Sequence, residues 1–234
     1  MSKLPGGALA SRPLHFIWIA DCSGSMSIDG KIQALNNAIR EAIPHMQQVA
    51  AENPNAQVLV RALAFSTGAR WHISQPVVVS DFRWTDLKAE GVTDMGKALA
   101  MLADQLSPDS MPARALPPVL VLISDGQPTD NFDSGLKALL DQPWGKKAVR
   151  IAIAIGEDAD HDVLQKFIGH PEFKPLQANN AETLVRYIKW ASTEVLKSAS
   201  APASQTLDNS PAANVPLPAA PDPATPLDSA ADVW

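Results

Sequence analysis

Cysteine occurs once in the 234 residues, at position 22. No intrachain disulfide can form, a cysteine-based zinc ribbon is excluded, and such sparing use of thiols fits a reducing compartment. Positive charge is also scarce: 19 Lys and Arg stand against 25 Asp and Glu, a net charge of −6, with no basic run. Nucleic acid as a partner usually requires a basic footprint, so it is not expected. No stretch approaches the ~20 apolar residues that span a bilayer, and the opening MSKLPGGALASRP lacks the apolar segment of a signal peptide. The expectation is a cytoplasmic protein with no membrane partner. Histidines 15, 45, 72, 161 and 170 show no HExxH or HxxxH spacing and read as structural or exposed. A G-x-S-x-G elbow and a G-x-x-x-x-G-K-[ST] phosphate loop are both missing.

What the chain has is core: 46% of its residues are hydrophobic. Apolar runs at 14–20, 56–65, 117–124 and 148–155 read as buried strands, with one or two short edge strands within 71–80. Ile32, Leu35, Ile39 and Ile43 recur at helical steps, and Pro44 is expected to end or kink that helix. Met95, Leu99, Leu102 and Leu106 mark a helix over 94–106, with Asp94 at its positive end. Further helices are expected around 134–140, 160–168 and 181–197, with a short strand near 173–177 between the last two. Buried strands alternating with amphipathic helices imply an α/β fold: a doubly wound, mostly parallel sheet with helices on both faces. We place this domain at 12–197, after an N-terminal extension at 1–11.

Residues 198–234 differ in kind. They are rich in Ala, Pro, Ser and Asp, without Lys, Arg or Gly. Too few large apolar groups remain to offset ordering, so this tail is expected to be disordered in isolation. Its prolines favour extended, polyproline-type conformations. Ser210-Pro211 and Thr225-Pro226 are candidate phosphorylation sites, and Trp234 a candidate docking residue.

The first strand runs directly into Asp21-Cys22-Ser23-Gly24-Ser25-Met26-Ser27. In open α/β sheets ligands bind beyond the C-terminal ends of strands, which is where this segment falls. A polar turn capping the next helix is the plain reading. A phosphatase with a nucleophilic Asp21 would want a second acid at position 23, where Ser23 stands. A divalent-cation site is the alternative: magnesium takes six oxygens and keeps several waters. Asp21, Ser23 and Ser25 at alternate positions offer three oxygens; Thr93 and Asp125 offer more from other element ends.

Three ordered elements carry a family resemblance. Asp21-Cys22-Ser23-Gly24-Ser25, Gly91-Val92-Thr93 and Ser124-Asp125-Gly126 resemble the metal-ion-dependent adhesion site (MIDAS) of the von Willebrand factor A (VWA) domain, over roughly residues 13–195. The resemblance implies that Ser23, Ser25 and Thr93 ligate Mg²⁺ (or Mn²⁺ or Ca²⁺) directly, while Asp21 and Asp125 act through waters or hydrogen bonds. A cation so held stays electrophilic and takes a carboxylate from a partner protein, without turnover. The continuation Gln127-Pro128-Thr129-Asp130 looks like the bacterial TerY-like branch associated with tellurium resistance. That branch implies a stress-signalling setting with a PP2C-like phosphatase and a Ser/Thr kinase-like protein as candidate partners. Here Val92 stands where many of those relatives have Gly, and the tail replaces the cysteine-rich zinc module some of them carry. Alternatives are a metal-dependent phosphohydrolase and a regulatory subunit of an AAA-type ATPase or chelatase. Asp94 reads as a helix charge rather than a ligand, Thr129-Asp130 as partner surface or as a cap for a helix beginning near Phe132, and Cys22 as a small buried side chain. Trp18 reads as core, while Trp71, Trp84 and Trp144 are candidates for an exposed recognition aromatic.

Overall fold

A computed structural model describes residues 11–125, 127–201 and 215–222. Gly126, the Ser-Pro and Thr-Pro pairs, Trp234 and all but Ser11 of the N-terminal extension lie outside them. Six strands form one sheet: β1 (Arg12–Asp21), β2 (Ala56–Ser66), β3 (Gly68–Val78), β4 (Val119–Ser124), β5 (Val149–Ile155) and β6 (Leu176–Ala178), in the order β3-β2-β1-β4-β5-β6. All neighbours are parallel except β2 and β3. The helices are α1 (Lys31–Glu52), α2 (Met95–Gln105), α3 (Phe132–Asp141), α4 (Pro143–Lys147), α5 (His161–Ile168), α6 (Ala181–Trp190) and α7 (Leu196–Ser200), the last two joined by a π turn.

Strand alternation explains the two layers. Leu14, Phe16, Trp18 and Ala20 of β1 enter one core, with the Ile32, Leu35, Ile39 and Met46 stripe of α1 and with Ile188 of α6. Ile17 and Ile19 enter the other, with Met95, Leu99 and Leu102 of α2, Leu136 of α3 and Leu164 of α5. Every residue of β4 is buried, as expected for a parallel strand covered on both sides.

Two local expectations need correction. Pro44 does not end α1, which runs from Lys31 to Glu52 with the proline inside it. Pro44 and Arg40, whose carbonyl loses its partner, both lie on the exposed face, where water can serve that carbonyl. Buried Ile39, Ile43, Met46 and Val49 meanwhile pin both halves of the helix to the sheet. The 71–80 region is a single 11-residue edge strand that begins earlier, at Gly68. Its Pro76 is tolerated because an edge strand has a side without ladder bonds. No helix among the described residues is long and apolar enough to cross a membrane.

Candidate functional site

Sheet order positions the site. From β1 the chain moves outward to β2 and β3, and from β4 the other way to β5 and β6. The crevice between the C-terminal ends of β1 and β4 is therefore the topological switch point. Ala20 pairs with Ile123 there, so Asp21 and Ser124 emerge side by side.

Both carboxylate oxygens of Asp21 are engaged. Oδ1 accepts the backbone N–H of Ser23 at 2.8 Å, and Oδ2 accepts the Ser124 hydroxyl at 2.6 Å. The hydroxyls of Ser23 and Ser25 lie 2.9 Å apart, and Ser25 Oγ donates to Asp125 Oδ2. Asp21, Ser23, Ser25 and Asp125 thus form one polar cluster closed through Ser124. Asp21, Ser23 and Asp125 are buried, while Ser25 is partly open.

Thr93 is brought to the same place through its backbone. The loop before α2 lies against the Asp21–Ser25 turn: Gly24 N–H donates to Gly91 O at 2.9 Å, and Glu90 N–H to Cys22 O at 2.8 Å. Gly91 has φ +78°, and a Cβ there would come within 2.4 Å of Thr67 Oγ1, so glycine alone fits. Thr93 N–H donates to Thr129 Oγ1 at 3.1 Å, and Thr129 N–H donates back to Thr93 O at 2.9 Å. Asp21, Ser23, Ser25 and Asp125 therefore share one hydrogen-bonded cluster, and Thr93 stands beside it on a loop tied to the Asp21–Ser25 turn through backbone bonds.

Electrostatics sort the acids. Burial pushes the Asp21 carboxyl up to about 6; hydrogen bonds from Ser124 and Ser23 oppose this, and the charge of Asp125 adds to it. Asp94 Oδ2 accepts from Lys97 Nζ at 2.6 Å and from Gly68 N–H at 2.7 Å. These bonds hold its carboxyl below the usual range. It ties the start of β3 to the start of α2, and its side chain makes no cap bond to α2. Burial, then the charge of Asp21, pushes the Cys22 thiol up to about 12, so it stays protonated and unreactive.

Sequence reasoning missed two supports. Ser124 belonged to a recognised element, but its hydroxyl bond to Asp21 is visible only once β1 and β4 are paired. Asp130 caps a helix, though not the one beginning at Phe132. Its oxygens accept from Gly96 and Lys97 N–H at 2.8 Å each, at the start of α2, while Asn131 caps α3. Trp71, Trp84 and Trp144 are half-buried rather than exposed. Arg61 covers Trp71, and Trp84 donates to Asn36 at 3.0 Å.

The donor set is all oxygen, with two carboxylates and hydroxyls, which fits a hard divalent cation such as Mg²⁺. Among the described residues no three His, Cys, Asp or Glu side chains converge as a metal cluster, so the hydroxyls would be essential to such a site. Around it, Ile28 and Val92 are exposed, at 56% and 46%.

The family profile of the von Willebrand factor type A domain matches residues 17–187. Solved structures share the fold. A von Willebrand factor type A protein from Catenulispora acidiphila aligns with TM-score 0.59 and 20% identity, over 79% of this chain and 42% of its own. The ArnB paralog VWA2 from Sulfolobus acidocaldarius aligns with TM-score 0.58 and 17% identity, over 76% and 45%. The pilus adhesin SpaC from Lactobacillus rhamnosus GG reaches TM-score 0.65 at 12% identity, over 81% and 31%. The chain thus spans less than half the length of each of these relatives. A comparison with curated proteins finds no match. With the profile covering well over half of the sequence, the chain belongs to the von Willebrand factor type A domain family.

Proposed function

We propose that this protein is a non-catalytic binding module that holds Mg²⁺ or Mn²⁺ at Ser23, Ser25 and Thr93, supported by Asp21 and Asp125, and captures an acidic residue of a partner protein. The observation that carries this reading is the closed cluster of three serine hydroxyls and two carboxylates at the switch point. When bound, the cation supplies a Lewis-acidic position for a partner carboxylate. Asp21 fixes the turn that presents Ser23, and Asp125 orients Ser25. Neither acid is offered as a nucleophile: both oxygens of Asp21 already accept hydrogen bonds, which supports binding over phosphoester hydrolysis. Exposed Ile28 and Val92 beside the cluster supply apolar surface for a protein partner.

The narrower setting is a cytoplasmic stress-signalling system of TerY-like type, with a PP2C-like phosphatase and a Ser/Thr kinase-like protein as partners. Its support is the Ser124-to-Asp130 run and the single buried cysteine. Service as an ATPase or chelatase subunit would be recognised by co-purification of the ATPase.

Titration with Mn²⁺, followed by loss of the free-ion electron paramagnetic resonance signal, tests the core of this reading. Wild type should bind one ion, Ser25→Ala should bind at least tenfold more weakly, and an Asp-bearing peptide should tighten the wild-type site by linkage. Equal binding by wild type and Ser25→Ala would place the ion elsewhere.

A further inference from the structure

On the far side of the sheet from β3, part of the C-terminal tail occupies a groove. β6 pairs with β5 only over Ile153–Ile155, so on the side away from β4 the edge of β5 from Val149 to Ala152 has no strand neighbour among the described residues. Val215–Asp222 lies over this region. Val215 and Leu217 pack on the α1/α6 core, and Leu217 and Pro218 face Ile151, Phe173, Leu176 and Trp190 across the groove. Two buried donors, one turn apart on α6, read its backbone: Trp190 Nε1–H donates to Ala219 O at 3.1 Å, and Arg186 donates to Asp222 O at 2.8 Å. The segment thus runs antiparallel to α6.

Three features make this groove suited to proline-rich chain. Its donors take main-chain carbonyls, which polyproline-type segments leave free of internal hydrogen bonds. Pro216, Pro218 and Pro221 restrict themselves and the residues before them to extended conformations, lowering the ordering cost of docking. An open groove of about 300 Å³ also lies alongside the segment, lined both by it and by the body, which leaves room for a bulkier proline-rich chain. Small Ala219 and Ala220 line that space.

We propose that this groove is a docking site for a proline-rich segment of a partner protein, and that the chain's own Val215–Asp222 closes it in cis. Thirteen residues, 202–214, separate the described body from the segment. Fully extended they reach roughly 45 Å, ample for docking on the same molecule. Only a partner that fills the cavity better, or a tail that is released, opens the site. This proposal does not depend on the cation site.

The test uses the full-length chain and a fluorescein-labelled peptide of residues 213–224, read by anisotropy. Leu217→Asp removes the apolar anchor of the resident segment and should raise peptide affinity at least tenfold over wild type. Adding Trp190→Phe, which keeps the ring but loses the N–H, should weaken that binding at least fivefold. Circular dichroism melts of each chain verify that the body is folded. Equal affinity for wild type and Leu217→Asp, or no binding to Leu217→Asp at 1 mM, overturns the proposal. So does a wild-type dimer that Leu217→Asp dissolves, because the tail would then be exchanged between copies rather than docked in cis.

Discussion

At the residue scale, two buried ionisable groups make opposite predictions. Asp21 sits 0% exposed, near a second carboxylate. Its ionised form is a burden on the fold unless a cation balances it. Asp21→Asn keeps an oxygen for Ser23 N–H and removes the charge. Chemical denaturation in EDTA at pH 8 should show the variant about 1–2 kcal/mol more stable than wild type. With excess Mg²⁺ the order should reverse. His15 works the other way: burial, with the Arg61 charge adding to it, lowers its pKa to about 4. Its Nε2 is buried without a hydrogen-bond partner among the described atoms. The folded state keeps His15 neutral while the unfolded chain protonates near 6.5. The stability it contributes is therefore complete above 6.5 and lost as pH falls toward 4, by about 3 kcal/mol. His15→Leu should remove that loss, measured as the change in urea midpoint between pH 7 and pH 4. An unchanged slope with pH would show that His15 is not its source.

At the element scale, the α2–α3 contact holds the Thr93 loop. A Cβ on Gly135 would come within 2.1 Å of Gly96 O, and one on Gly96 within 2.3 Å of Asn131 O. These glycines let two helix starts touch backbone to backbone. Gly135→Ala should force them apart, lowering stability by about 1–3 kcal/mol in urea unfolding. Asp130→Ala removes the cap of α2 and should lose about 1 kcal/mol. Because Thr129 and Thr93 are bonded to each other, Asp130→Ala should also weaken Mn²⁺ binding severalfold. A variant with the stability loss but full Mn²⁺ affinity would uncouple cap from site.

The elements were legible where periodicity was strong. The Ile32-to-Ile43 stripe and the Val119–Ser124 run announce α1 and β4, because burial on one stripe or both faces leaves a direct mark on composition. Pro44 misled because its effect depends on which face it occupies, and exposure is a property of the packed helix. Asp21, Ser23, Ser25 and Asp125 were nameable as loop residues, and the structure brings them into one cluster. The Ser124 hydroxyl bond and the reach of Asp130 to α2 were not legible. Both join residues whose proximity is created by strand order and helix docking rather than by spacing along the chain.

At the scale of the whole molecule, one sheet carries two separate surfaces. The polar cluster lies at the β1/β4 crevice, and the tail groove lies at the β5/β6 edge. The tail's composition marks it as unable to build a core of its own, and its described part accordingly borrows Trp190 and the apolar face of the domain. Substitutions in the groove should leave the cation response intact, and those at Asp21 should leave peptide docking intact.

The central claim, that the hydroxyl–carboxylate cluster holds a functional cation, is tested most directly by thermal unfolding of wild type and Asp21→Asn with and without Mg²⁺ or Mn²⁺. A ligand at ~100 times its dissociation constant adds about 2.7 kcal/mol. For a chain of this size that corresponds to a rise on the order of 5–10 °C. The account predicts that rise for wild type and none for Asp21→Asn. No rise in wild type at about 20 mM of either ion, roughly twenty times the ~1 mM dissociation constant of the weakest such oxygen-ligand sites, or an equal rise in Asp21→Asn, would contradict it.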